Sequence, residues 1–72
     1  MNKQDRKQFR QLVETIYEVY QKDPPSTALL TVWWDDLMDF PIEAVRWAWD
    51  QHRRGPRGQY LPRVADLLKA LG

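Results

Sequence analysis

Four tryptophans, Trp33, Trp34, Trp47 and Trp49, fall within seventeen residues of a 72-residue chain that contains no cysteine. A chain of this length buries only about 60% of the surface it exposes when unfolded, so its core must be built from a few large side chains. No disulfide is available to staple the fold, and each tryptophan offers roughly 150–250 Å² of area to bury. Roughly two or three such rings can be absorbed inside so small a domain. At least one is therefore expected at the surface, where it marks a meeting with something else.

The same absence of cysteine removes thiolate metal sites and thiol nucleophiles, and nothing points to an oxidising compartment. Met1-Asn2-Lys3 opens into a charged segment, and no apolar run is long enough to cross a membrane, so a cytoplasmic protein is expected. The net charge of +1 is too small to argue for nucleic acid from the total alone. Its distribution is more informative. Asp35, Asp36, Asp39, Glu43 and Asp50 outweigh Arg46, and then Arg53, Arg54, Arg57 and Arg63 follow without an intervening carboxylate.

Apolar periodicity divides the chain into helices. Phe9, Leu12, Val13, Ile16, Tyr17 and Tyr20 share one face of a first helix over about residues 3–20, capped by Asn2 and stopped by Pro24-Pro25. Its other face carries Arg6, Lys7, Arg10, Glu14 and Glu18 and reads as a solvated surface. Ser26 or Thr27 can cap a second helix over 27–39, with Leu30, Trp33, Trp34 and Leu37 inward. Pro41 fits the first turn of a third helix over 41–54, which ends at Gly55-Pro56. A fourth, over 62–71, turns Val64, Leu67, Leu68 and Leu71 to one side. The expectation is all-α: one domain, a compact bundle of four short helices.

On the third helix Ile42, Val45, Ala48, Trp49 and His52 form one arc. Trp47 lies roughly 160° from Trp49 on the helical wheel, among Glu43, Asp50, Gln51 and Arg54. Tryptophan and arginine are enriched at binding hot spots, so Trp47, Glu43, Asp50 and Arg54 form the expected partner-binding surface. The competing reading has the first or fourth helix covering Trp47 as a second layer of core.

An enzyme is not expected. His52 is the single histidine, Asp35 and Asp39 share an exposed face without a His or Cys to complete a metal site, and Arg54-Gly55-Pro56-Arg57-Gly58 lacks the Lys-Ser/Thr of a phosphate loop. No cofactor or metal is expected. The arginine-rich segment offers an alternative function, nucleic-acid binding by Arg53, Arg54, Arg57 and Arg63 with Tyr60 stacking on a base.

The run Trp33-Trp34-Asp35-Asp36-Leu37-Met38-Asp39-Phe40-Pro41-Ile42-Glu43-Ala44-Val45, with Ala48, and the later Tyr60-Leu61-Pro62-Arg63-Val64-Ala65-Asp66-Leu67 resemble the N-terminal helical domain of phage helicase loader/inhibitor proteins of the SPP1 type. Trp33 matches the pattern's Trp, Leu37 its Leu, and Pro41 and Pro62 its two prolines, and Tyr20 and Pro25 fit the close of its first helix. The segment around Leu61-Pro62 is also similar to lambda-type phage replication proteins. The resemblance spans about residues 9–70 and implies a phage protein that delivers or restrains the replicative helicase inside a bacterial host. In that family the helicase-contacting segment lies beyond this domain, whereas this sequence stops at Gly72, so fold is expected to carry over better than contact residues. A longer coding sequence would make the chain the N-terminal domain of a larger loader. Trp47 lies outside the shared pattern. A phage inhibitor of another host system, a defence complex or a regulator, would show the same features, and either a monomer or a homodimer through Trp47 fits them.

Overall fold

In the computed structural model, which describes residues 1–72, every expected helix forms, each somewhat shorter than its expected range. They are α1 (Asp5–Val19), α2 (Thr27–Leu37), α3 (Ile42–Arg54) and α4 (Val64–Leu71), with no strand. The differences have local causes. Gln4, without a side-chain bond, is the cap residue of α1, and Asn2 instead closes the turn before it, its Oδ1 accepting from the backbone N–H of Gln4 (2.9 Å) and Asp5 (3.1 Å) while Asp5 Oδ2 accepts from the Asn2 N–H (3.1 Å). A turn intervenes, so regular helix begins at Asp5 and not at Lys3.

The stop of α1 differs in kind. Gln21 adopts a left-handed conformation (φ 56°), its N–H donating to the Glu18 carbonyl at 2.9 Å and the Lys22 N–H to that of Tyr17 at 3.0 Å. This pair of bonds is the Schellman closure, usually built on glycine. The helix has thus ended before Pro24-Pro25, which confines the following chain and does not break it.

Ser26 caps α2 as expected, Oγ accepting from the Leu29 N–H at 3.1 Å, but the helix ends at Leu37, two residues before Asp39. Pro41 is the residue before α3 and not part of its first turn. Its backbone is extended (ψ 153°), and its carbonyl accepts from the N–H groups of Ala44 and Val45. Pro62 is buried outside α4, which begins at Val64 after Arg63 turns extended and donates its N–H to Asp66 Oδ2 at 2.8 Å.

One core unites the helices. Phe9, Leu12, Val13 and Ile16 of α1 meet Trp33, Trp34 and Leu37 of α2, Ile42, Val45, Ala48 and Trp49 of α3, and Leu67 of α4. Three aromatic residues of α1 and its C-terminal cap each meet one tryptophan edge to face: Phe9 with Trp34 at 5.4 Å, Tyr17 with Trp33 at 6.3 Å, and Tyr20 with Trp49 at 5.8 Å between ring centroids. Each pair contributes about 0.5–1.5 kcal/mol beyond the area it buries, a useful supplement in a small core. The N-terminal ammonium donates to the carbonyls of Met38 and Phe40, tying the start of the chain to the α2–α3 corner. The bundle is compact, its 11.3 Å radius of gyration matching the ~11 Å expected for this length. No helix is long and apolar enough to cross a membrane.

Candidate functional site

The side chain of Trp47 is the exception to this packing. It is 49% exposed, against 3% for Trp33, 9% for Trp34 and 6% for Trp49, and it belongs neither to the core nor to the half-buried layer around it. No aromatic ring pairs with it. Neither α1 nor α4 therefore covers it as a second layer. Glu43 and Arg54, one turn before and two turns after it on α3, are exposed, and neither takes part in an ion pair.

Asp50, grouped with these residues by helical spacing, is differently placed. It is half-buried, and its Oδ1 accepts from an Arg53 guanidinium N–H at 2.7 Å. The anionic group free beside Trp47 is then Glu43. This outer ridge of α3 offers a large apolar ring flanked by one carboxylate and one guanidinium.

The arginine-rich segment is braced by side chains from outside it. Tyr20 donates its hydroxyl to the Gly58 carbonyl at 2.6 Å, and His52 donates Nε2–H to the Tyr60 carbonyl at 2.8 Å. Gly58 passes so close to α3 that a Cβ there would stand 2.1 Å from the Arg53 carbonyl oxygen, so only glycine fits. Arg53 is held twice, by Asp50 and by the Trp49 ring 5.5 Å from its guanidinium carbon. Burial raises the Tyr20 hydroxyl above its ordinary pKa, with the Arg53 charge opposing, and burial also raises Tyr17. Arg54, Arg57, Arg63 and Tyr60 remain exposed, Tyr60 at 58%. Of the five residues expected to bind nucleic acid, only Arg53 is consumed by the fold.

A second feature was not legible in the sequence. The basic face of α1, read as solvated, forms one wall of a cleft of about 310 Å³ against α2. Arg6 lies over the Trp34 ring at 5.2 Å, and Arg10 holds Glu14 at 3.4 Å. Two stripes at i, i+4, Arg6/Arg10 and Thr27/Thr31, were visible, but nothing in either said that the two helices would set them face to face. No group of three or more His, Cys, Asp or Glu side chains is placed to hold a metal ion. No protein-family model matches this chain, and no curated protein or solved structure is significantly similar to it.

Proposed function

We propose that the protein is a non-enzymatic adaptor or inhibitor that docks on another protein through the outer ridge of α3. The observation that carries this reading is Trp47, half exposed and unpartnered in a fold that buries every other tryptophan. Leaving so large an apolar ring in water forgoes a burial worth about 25 cal/mol per Å². A partner's pocket would recover that energy, with Glu43 and Arg54 setting register and encounter rate. The mechanism is occupancy: the ridge covers a surface the partner needs.

The resemblance to phage helicase loader/inhibitor domains directs the choice of partner to the bacterial replicative helicase or its loading machinery, and the proposed setting is the cytoplasm of an infected host. Trp47→Ala tests the ridge. Binding to a purified bacterial replicative helicase should fall by at least about 2 kcal/mol, the hot-spot threshold, while stability changes by about 0.5 kcal/mol or less. Trp33→Ala serves as the structural control and loses about 3–5 kcal/mol of stability. Unchanged binding by Trp47→Ala overturns the ridge, and no binding by the wild type overturns the helicase assignment. A host defence complex or regulator then becomes the partner class to examine.

Exposed Tyr60 beside the free Arg54, Arg57 and Arg63 favours a second reading, single-stranded nucleic-acid binding. That mode requires affinity that falls steeply between about 50 and 200 mM salt.

A further inference from the structure

We infer that the cleft between α1 and α2 is a binding site for an acidic peptide segment of a partner protein, one that carries an aliphatic side chain beside its carboxylates. Arg6, Lys7 and Arg10 line the α1 wall, and no carboxylate lines the cleft. Glu14 neutralises Arg10, but Arg6 and Lys7 have no carboxylate within 4.0 Å, leaving two unpaired cations at the rim of a concave surface.

The Arg6 guanidinium also lies over the Trp34 ring, its carbon 5.2 Å from the ring centroid. No carboxylate takes its N–H groups, so they are free to meet one in the bidentate geometry guanidinium favours. Between the charged wall and Thr27 on α2, the floor is formed by Phe9, Leu30 and Trp34. At about 310 Å³ the cleft is at the small end of ligand pockets, suited to one branched aliphatic side chain with its flanking backbone.

The same packing argues against a nucleobase. Trp34 is 9% exposed, its ring engaged by Phe9 and covered by Arg6, so it offers no open face for stacking. The donor of the Thr31 hydroxyl is spent on the Thr27 carbonyl at 3.0 Å. Recognition then rests on guanidinium and ammonium charge at the rim and apolar contact below, the combination an acidic, aliphatic peptide satisfies. The cleft shares no residue with the Trp47 ridge, so the two sites stand or fall separately.

The experiment is titration of the whole protein at low salt with a short peptide built on Glu-Leu-Glu, followed by fluorescence anisotropy and amide NMR. A Gln-Leu-Gln peptide and an oligothymidylate serve as competing probes. The expected result is saturable binding of the acidic peptide alone, with shifts at Arg6, Arg10, Thr31 and the Trp34 indole. Arg6→Gln, at an exposed position, should weaken it about tenfold while leaving the rest of the spectrum unchanged, and Arg6→Lys should weaken it less. Equal binding of the Gln-Leu-Gln peptide, shifts confined to other residues, tighter binding of the oligonucleotide at these residues, or full affinity in Arg6→Gln overturns the inference.

Discussion

Two arginines in this molecule lie over tryptophan rings at nearly the same distance from the ring centroid, Arg6 over Trp34 at 5.2 Å and Arg53 over Trp49 at 5.5 Å, yet their surroundings are opposite. Around Arg53 each polar group described has a partner within the fold: Asp50 takes the guanidinium, Tyr20 takes the Gly58 carbonyl, and His52 takes that of Tyr60. Around Arg6 the guanidinium has no carboxylate and looks into an open cleft. An arginine over a tryptophan ring is therefore not in itself a binding device. What separates the two is whether a third group, here a carboxylate three residues before on the same helix, has already closed the site.

The closed corner can be broken from its tightest point outward. Gly58→Ala should have the largest effect, because the added Cβ meets Arg53 backbone, 2.1 Å from oxygen and 2.7 Å from carbon, and backbone cannot swing aside. A loss of about 1–3 kcal/mol is expected in urea unfolding. Wild-type stability would mean the loop moves without cost, and the corner is not closed at all.

Tyr20→Phe removes only the hydroxyl that holds Gly58 and should cost about 1 kcal/mol at neutral pH. It also carries a pH signature. Burial raises the Tyr20 and Tyr17 hydroxyls above the ordinary tyrosine value in the folded state, so the unfolded chain ionises first, from about pH 10. The stability these groups contribute is complete below that pH and is lost as pH rises above it. Thermal midpoints of Tyr20→Phe should fall less steeply with alkaline pH than those of the wild type.

Asp50→Asn should have the smallest effect on stability, about 0–1 kcal/mol, because both partners of the Arg53 pair are partly exposed. It is also the sharpest test of the contrast. Freed of its carboxylate, Arg53 should acquire weak affinity for the acidic peptide, visible as new shifts at Arg53 and the Trp49 indole. Their absence would show that the cleft around Arg6 matters more than the missing carboxylate.

Much of the fold was open to reading because it is local. The faces of α1, α3 and α4 follow from apolar spacing, and the Ser26 cap and the interruption at Pro41 from side-chain chemistry. Helix ends were less legible. Nothing in Gln21 announces a left-handed residue, since glutamine reaches that conformation only when the Tyr17 and Glu18 carbonyls are in place to receive the turn. The candidate site divides similarly. Trp47, Glu43 and Arg54 lie on one helix at helical spacing, whereas the fate of Asp50 depended on which neighbouring rotamer Arg53 would adopt over Trp49.

Read alone, the chain sets its class, the order of its helices, and the separation of one tryptophan from the other three, because each of these is a property of periodicity along a single segment. That nothing covers Trp47, that Gly58 lies against Arg53, and that the Arg6 stripe faces Thr27 are decided only in three dimensions. These are relations between segments distant in sequence, and side-chain spacing within a helix contains no information about which neighbour packs beside it, or leaves it bare.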